Sequence, residues 1–296
     1  MKDRNPDTTV SIGTQGQPPL LSEPLWLEDR QFRVLGRIDR LNREGQGCTR
    51  LELGCLAGTA TAVLRHSNFL PHQRAIQHGD IVRVSGELRT LNDRRLLKVD
   101  SLHRCDLLES LRPTALLPAD WVLPHLIPNL RRVTRYWNSI YHPAVQALLS
   151  AVFRDASTAM GFLNVPGSMR HHHAYQGGLL VHTAEMLEGL CKYAAYRDAG
   201  IRRDIAIALI ILHDIGKTVT LVGSEKERYA SCRGAIQPHD MAALEMLAVP
   251  LARLETKDAS IANLIRGYFR PRYWHPKNDT ALYQLVSSLD RETTIM

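Results

Sequence analysis

The sequence predicts an α+β protein built as two domains, a small β-barrel followed by an all-α bundle. Between Phe32 and Cys105, short runs alternate between apolar and polar residues, with turn-forming residues between them. Period-two runs at this close spacing are typical of a small all-β barrel. From Leu130 onwards, apolar residues recur at the helical spacing instead. The chain of 296 residues is long enough for two domains, since one domain takes roughly 100–200 residues.

Composition sets the predicted domain boundaries. The first residues are polar and rich in Gly and Pro, which predicts a disordered segment. Four prolines between Pro113 and Pro128 predict a linker that wraps onto the next domain. The predicted order is a disordered segment at 1–30, the barrel at 31–105, a linker at 106–129 and the helical domain at 130–296.

Five strands are predicted in the barrel segment. They cover residues 32–38, 49–53, 59–64, 80–88 and 95–99. The phrase from His78 to Gly86 resembles a strand beginning found in oligonucleotide-binding (OB) folds, and five strands in about 75 residues fit that fold. We therefore predict an OB-like nucleic-acid-binding domain. The segment 31–105 holds only two aromatic rings of the Phe, Tyr or Trp type, Phe32 and Phe69, although aromatic rings are the usual platforms for bases.

The placement of positive charge supports a polyanionic partner. The formal net charge is +7, and the segment from Gln31 to Cys105 holds 13 Lys/Arg against 7 Asp/Glu. Basic surfaces of this kind bind nucleic acid through counterion release. Arg37 and Arg83 are candidates to contact the backbone of a single strand. Two other interpretations stay open: a merely solvated basic surface, and a barrel used only for packing or oligomerisation.

Seven helices are predicted beyond the linker. They cover residues 133–140, 143–160, 182–195, 202–213, 240–254, 260–268 and 280–290. Pro143 after His142 is a helix-start signal. In the helix that His182 opens, Glu185 and Glu188 are expected to face solvent.

Several features favour the cytoplasm. No run approaches the roughly 18 apolar residues of a membrane span, and the N-terminus lacks the apolar stretch of a secretory signal. The five cysteines are odd in number and never form a CxxC pair. This pattern predicts free thiols in a reducing compartment.

The most specific chemical signal is the pair His213-Asp214, at the end of the apolar run from Asp204 to Leu212. An imidazole and a carboxylate side by side can both bind one divalent cation. Two further candidates lie on other helical stretches, His182 and Asp290. This set of nitrogen and oxygen donors suits Mn, Fe, Zn or Mg better than a thiolate set would. Gly216 is expected to break the helix at its C-terminus, and Lys217 beside it can reach a phosphate.

These residues resemble a known family. The phrase His172-His173-Ala174-Tyr175-Gln176-Gly177-Gly178-Leu179-Leu180-Val181-His182-Thr183, followed by Leu212-His213-Asp214-Ile215-Gly216-Lys217-Thr218, is similar to HD-domain 3′-to-5′ exoribonucleases of bacteria. The likeness covers roughly residues 31–290. It implies an N-terminal OB domain, a C-terminal HD metal-dependent phosphohydrolase domain, and a divalent metal as cofactor, with Mn²⁺ expected first and Mg²⁺, Fe²⁺ or Zn²⁺ left open.

The resemblance also assigns residues. His182, His213, Asp214 and Asp290 correspond to the ligands of a first metal, and His239 to a ligand or neighbour of a second. The family has a His-His pair before the final Asp, whereas this chain has the segment 266–270 with Arg266 and Arg270. His275 is either a displaced replacement or a surface histidine. The sequence therefore leaves one and two metals open.

The resemblance implies a metal that activates water for in-line attack on a phosphodiester, with His213, Asp214 and Lys217 as the catalytic group. Lys217 is either a phosphate contact or a cation at a helix C-terminus. His172 and His173, on a loop before a Gly-Gly pair, are expected to contact substrate, and Arg233 is a further phosphate candidate. Asp240 is expected to cap the helix that follows it.

The predicted activity is hydrolysis of single-stranded RNA or DNA, most simply as a 3′-to-5′ exonuclease. Two alternatives stay open. HD-type relaxases of conjugative elements also carry a His triplet before a GGLxxH helix, and His171-His172-His173 is such a triplet. A non-catalytic nucleic-acid-binding accessory factor is the other alternative, because the His-His pair is absent. The sequence leaves open whether the protein forms a homo-oligomer.

Overall fold

A computed structural model of the chain describes residues 24–68, 75–106, 109, 111–170, 172–197, 200–223, 228–269 and 280–295. Its N-terminal part is a closed five-stranded barrel, and helices dominate the rest, which confirms the predicted fold class. The barrel strands are β1 (Leu25–Leu41), β2 (Gly47–Cys55), β3 (Gly58–Arg65), β4 (Ile81–Leu91) and β5 (Arg94–Arg104).

The strand order around the barrel is β1-β2-β3-β5-β4, with β4 closing back onto β1. The β3–β5 pairing is parallel and the other four are antiparallel. Alternate residues of each strand fill the interior, where Val34, Leu51, Leu53 and Leu64 are fully buried. The five-stranded closed barrel is OB-like.

The barrel begins earlier than predicted. Residues 25–30 belong to β1, although they were assigned to the disordered segment, and Leu25 pairs with Leu88 of β4. The alternation in this stretch is weak because its side chains are largely exposed. This part of β1 forms because the backbone of β4 supplies hydrogen-bonding partners, which the local sequence pattern does not reveal.

Eleven helices are present among the described residues. They are α1 (Pro113–Leu116), α2 (Ile127–Asn138), α3 (Pro143–Phe153), α4 (Ala156–Asn164), α5 (Gly178–Leu190), α6 (Ala194–Arg197), α7 (Ile201–Leu212), α8 (Lys217–Thr220), α9 (His239–Glu255), α10 (Ala259–Tyr268) and α11 (Thr280–Ile295). A short hairpin of β6 (Leu221–Gly223) and β7 (Arg228–Ala230) follows α8. None of the described helices is long and apolar enough to cross a membrane.

The single helix predicted over residues 143–160 is two helices, which corrects that prediction. The break falls at Arg154 and Asp155, where the Asp155 carboxylate accepts a hydrogen bond from the backbone N–H of Thr158 and caps α4. An aspartate at the N-cap favours a new helix start. Continuous apolar periodicity concealed this start in the sequence.

A buried arginine of the barrel stabilises the same break. Arg33 is fully buried, and its guanidinium donates to the backbone carbonyl oxygens of Phe153, Arg154 and Gly79 at 2.7, 3.2 and 3.0 Å. It also lies 5.0 Å from the centre of the Trp121 ring. Burial lowers the pKa of Arg33 to about 10. A cation at the end of α3 satisfies carbonyls that have no partner within the helix.

Barrel and helices share one packed interface. Ile81 of β4 and Cys105 just after β5 belong to the same apolar core as the helices, together with the buried Leu116 and Leu117. The predicted linker 106–129 is therefore largely structured, since it holds α1, two 3₁₀ turns and the start of α2. Its prolines open these short helices at their first turns, where a missing N–H costs nothing.

Candidate metal centre

The candidate site lies where α5 and α7 meet. Every residue of α7 from Asp204 to Leu212 is buried, so the end of this helix is held firmly within the core. His213 is the C-terminal cap of α7, Asp214 follows it, and His182 lies in the middle of α5. All three side chains are buried, and one ligand atom from each lies within 4.8 Å of the other two. The structure thus brings together three of the predicted ligands.

Hydrogen bonds orient both imidazole rings toward the same point. Nδ1 of His213 lies 2.7 Å from the carbonyl oxygen of Ile210, which can only accept, so this nitrogen carries a proton. Nδ1 of His182 lies 3.3 Å from the hydroxyl of Thr293. The two Nε2 atoms then face each other at 3.3 Å. Partners of this kind fix the ring orientation of histidines that bind metals.

Two carboxylates complete the cluster. Asp290 on α11 places Oδ1 3.1 Å from Nε2 of His182, and Asp214 places Oδ2 3.2 Å from Nε2 of His213. Burial alone would raise the pKa of Asp214, but the charges of His213 and Lys217 outweigh it and hold the pKa well below its usual range. Burial likewise opposes ionisation of Asp290, yet the hydrogen bond with His182 leaves its pKa lowered.

The donor set fits a divalent cation. Two imidazole nitrogens with orienting partners and two carboxylates converge here, and buried groups of this kind suit a divalent cation as their common partner. Nitrogen and oxygen donors without a thiolate match Mn, Fe, Zn or Mg. Thr293 is a member of this site that the sequence prediction missed. Its signal was the i+3 spacing from Asp290 on a helix.

Lys217, at the start of α8, lies inside the cluster. Its ammonium donates to Oδ2 of Asp214 at 2.5 Å and to the carbonyl oxygen of Gly167 at 2.6 Å. An ammonium group at this position can contact the Asp214 carboxylate and also an approaching phosphate oxygen. The role of Lys217 as a phosphate contact stays a prediction.

Gly216 is required for a different reason than the one predicted. Its backbone is right-handed helical, with φ −63° and ψ −20°, and it precedes α8 as the N-cap. A Cβ atom at this position would lie 1.9 Å from the carbonyl oxygen of His239. The glycine therefore permits close approach of α9, which the positional rule for helix ends did not reveal. This approach brings His239 to Asp214.

His239 opens α9 beside the cluster. Its Nε2 lies 3.3 Å from Oδ1 of Asp214 and 3.0 Å from Oδ1 of Asp240, and these hydrogen bonds raise the pKa of His239 to about 9. Asp214 thus directs one oxygen to His213 and the other to His239. The prediction that Asp240 caps this helix is wrong, because Pro238 is the N-cap and no side chain caps it. The carboxylate of Asp240 faces His239 instead.

The loop before α5 brings a histidine to the same place. The rings of His173 and His182 are 5.4 Å apart between centroids, and His172 packs edge-on against His173 at 5.6 Å. His173 has φ +56°, a backbone conformation that non-glycine residues seldom adopt and that clusters at functional sites. Burial, followed by the charge of His182, lowers the pKa of His173 to about 4.

Glu185 is a second residue that the sequence prediction missed. It was expected to face solvent, but its Oε2 lies 3.0 Å from Nε2 of His173, and Nδ1 of His173 lies 3.2 Å from the hydroxyl of Tyr175. Glu188 remains 42% exposed, as expected, and pairs with Arg132 on the surface at 3.1 Å. One turn of α5 separates His182 from Glu185, so an i+3 pattern was the available signal.

Three of the predicted substrate arginines have partners within the chain. Arg37 pairs with Asp39 at 2.9 Å and donates to Ile76, Arg83 pairs with Asp29 and Glu109, and Arg233 pairs with Glu245. Their assignment to substrate stays a prediction.

The segment 266–270, which begins within the last turn of α10, was expected to bear on the number of metals. Arg266 pairs with Glu255 at 2.7 Å, on the surface between α9 and α10. His171, Arg270 and His275 lie outside the described residues.

Fold and site together define a class of protein, one in which an OB-like barrel is joined to a helical domain with a buried histidine–aspartate cluster. Sequence comparison adds a set of similar proteins. The chain is similar to curated proteins named 3′-5′ exoribonuclease YhaM, which confirms the resemblance inferred from the motifs. The relative from Listeria monocytogenes (strain CLIP80459) is 26% identical over 149 residues, which is 50% of this chain and 46% of that protein.

Two further relatives with the same name show the range of the similarity. The protein of Halalkalibacterium halodurans is 28% identical over 145 residues, covering 49% of this chain and 44% of its own. The protein of Bacillus licheniformis is 22% identical over 229 residues, covering 73% and 69%. The chain spans about half the length of the first of these relatives. No protein-family model matches the chain, and no solved structure matches it significantly.

Proposed function

We propose that the protein is a divalent-metal-dependent phosphodiesterase that degrades single-stranded nucleic acid from its 3′ end. The observation that carries the proposal is the convergence of His182, His213, Asp214 and Asp290 in one largely buried cluster. The direction of degradation and a preference for RNA are supported by the name shared by the similar proteins.

The four residues of the cluster would hold the metal, with Mn²⁺ expected first. A bound divalent cation supplies positive charge to phosphate oxygens and activates a water for in-line attack. Ile210 and Thr293 keep the two imidazoles aimed at the cluster, and Leu212 and its buried neighbours on α7 keep its position rigid. Such support matters because catalysis requires ligands held within fractions of an ångström.

Positive and hydrogen-bonding groups surround the cluster on its open side. Lys217 is fixed between Gly167 and Asp214, where its ammonium can also approach a nonbridging phosphate oxygen. His173 lies next to His182 at the edge of the cluster, where its two ring nitrogens face Glu185 and Tyr175. Pre-oriented donors stabilise charge that develops in a transition state without costly reorganisation.

The same geometry predicts one firmly held metal and one exchangeable site. His239 offers a single strong ligand beside Oδ1 of Asp214, and its side chain is 40% exposed. Elemental analysis of the dialysed protein should therefore give about one equivalent of metal. His239→Ala should raise the metal concentration for half-maximal activity by about tenfold or more, the effect of losing a supporting partner.

The control for this prediction is His103→Ala, because His103 is an exposed histidine on the barrel. It should leave the metal requirement unchanged. Two metals retained after dialysis would contradict the prediction of one firm site and point to a further ligand at residues 171–173 or 275.

The proposed activity is tested with matched RNA and DNA strands labelled at the 5′ end. A 3′-to-5′ exonuclease shortens the labelled strand progressively, so a ladder should appear in the presence of Mn²⁺ and disappear with EDTA. When the strand is labelled at its 3′ end instead, the label should be released as a mononucleotide in the first turnover. Discrete internal products would instead favour the nicking alternative, and binding without cleavage in any of Mn, Mg, Fe or Zn would favour an accessory factor.

A further inference from the structure

A cleft of about 830 Å³ lies between the barrel and the first helices, away from the histidine–aspartate cluster. The N-terminal half of β1, the β2–β3 turn and the adjoining ends of β4 and β5 form one side, and residues of α1 and α2 form the other. This volume falls in the range of roughly 300–1,000 Å³ that is typical of ligand pockets. The cleft is a product of the interface, since neither part encloses it alone.

The rim of the cleft is positively charged. Arg30, Arg95, Arg112 and Arg131 line it, all four are exposed, and none of the lining residues is acidic. Among the residues that the structure describes, Arg30, Arg112 and Arg131 have no carboxylate partner. In contrast, Arg37 and Arg83 on the barrel surface are already paired with carboxylates. The exposed guanidinium groups at the cleft are therefore able to bind an anion.

The floor of the cleft is apolar. Leu27 and Phe32 are buried beneath it, and Leu56 and Leu88 form its walls. Arg95 is held in place because its Nη1 donates to the carbonyl oxygen of Ala57 at 2.6 Å. An inorganic anion would use the rim but not the floor, and an apolar ligand would leave the arginines unpaired. The combination suits a planar base carried on a phosphate backbone, because guanidinium planes and apolar surfaces stack bases while arginines contact phosphates.

We infer that this cleft binds a segment of single-stranded nucleic acid, with a base on its apolar floor and phosphates at its arginine rim. The inference rests on the proposed function, because it names where the substrate strand is held outside the catalytic cluster. It adds a strand contact at the boundary with the helices to those predicted at Arg37 and Arg83. The packed interface gives this position a fixed geometry relative to the cluster.

The test measures binding in EDTA, so that its outcome does not depend on hydrolysis. The probe is a fluorescent single-stranded RNA of about 16 nucleotides, the upper end of the site size of an OB barrel. The double variant Arg112→Gln/Arg131→Gln should weaken binding by at least about tenfold, the effect of losing one charge-assisted hydrogen bond. The slope of log K against log salt should become shallower by about 1.4, since each phosphate contact on a single strand contributes about 0.7.

The matched control is Arg40→Gln/Arg43→Gln, which removes the same charge at the far end of β1 and in the turn that follows it, outside the cleft lining. It should bind RNA with nearly the original affinity. A second variant, Leu25→Glu, introduces a negative charge at an exposed position of the cleft wall and should also weaken binding. Thermal unfolding of each variant checks that the fold is retained.

Three outcomes would overturn the inference. The first is an equal loss of RNA affinity in the cleft and control variants. The second is unchanged RNA affinity in both cleft variants with the oligomeric state also unchanged. The third is unchanged RNA affinity in the cleft variants together with a changed oligomeric state, which would make the cleft a contact between copies of the chain. Failure of the proposed function gives a different result. In that case RNA still binds through the cleft, but no strand is shortened with any metal.

Discussion

Replacing Asp214 with alanine is expected to abolish phosphodiester hydrolysis. Asp214 faces His213 with one carboxylate oxygen and His239 with the other, and it is also the partner of Lys217. Its removal withdraws a proposed metal ligand and the carboxylate that contacts His213, His239 and Lys217. A loss of about 4 kcal/mol of transition-state stabilisation corresponds to about a thousandfold in rate. The measurement is the rate of shortening of a labelled strand in Mn²⁺.

Two companion variants define the cause. Asp214→Asn keeps the size of the side chain but removes its charge, and it should lose activity to a similar extent. Asp204→Asn is the matched control, since Asp204 is a buried aspartate on α7 whose Oδ2 accepts from the backbone N–H groups of Tyr141 and His142. It should keep turnover near the original rate. Wild-type turnover in Asp214→Ala would show that the assigned site is wrong.

The second large effect is expected from Arg33→Met, and it concerns stability. Arg33 donates to three backbone carbonyls, two of them at the end of α3, and methionine offers no donor to replace it. Each buried acceptor left without a partner costs about 1–3 kcal/mol. Burying the guanidinium also costs free energy, as its lowered pKa shows. The cost of three unpaired carbonyls is larger than the burial cost that is removed with the cation. The free energy of unfolding should therefore fall by about 3 kcal/mol or more.

Urea unfolding followed by circular dichroism measures this change. The control is Arg89→Met, because Arg89 is 48% exposed and paired with Glu87, a surface contact that contributes about 0–1 kcal/mol. Equal or greater stability of Arg33→Met would show that the cost of burying the cation dominates. Loss of Arg33 should also loosen the candidate site, since α4 starts at this break and Gly161 of α4 packs against Thr218 in α8.

The sequence was sufficient for features that depend on local pattern. Alternation predicted five strands in the right order, although each strand is longer than predicted, because hydrogen bonds to a neighbour extend a strand beyond its amphipathic centre. The motif around His213 and Asp214 predicted a cluster, and the structure brings these residues together with His182 and Asp290. An apolar helical run that ends in metal-binding residue types is a local pattern, so it can be recognised from the sequence alone.

Other features were invisible because their cause lies far away in the chain. The break between α3 and α4 is stabilised by Arg33, which is 120 residues from Phe153. Gly216 is required by the backbone of His239, and Glu185 is turned to His173 by the loop before α5. Arg83 had the right charge for nucleic acid, yet its carboxylate partners, Asp29 and Glu109, lie far from it in the sequence.

The sequence by itself determined the barrel-then-helix order, the basic barrel segment and the residue types of the candidate metal centre. These follow from periodicity, composition and short spacing, all of which act within a few residues. Only the tertiary structure decided that Arg83 is paired with two distant carboxylates, that Gly216 meets the backbone of His239 and that a cationic cleft opens between the two parts. Each of these depends on contacts between distant segments, and the free energy of such contacts exists only once the chain has packed.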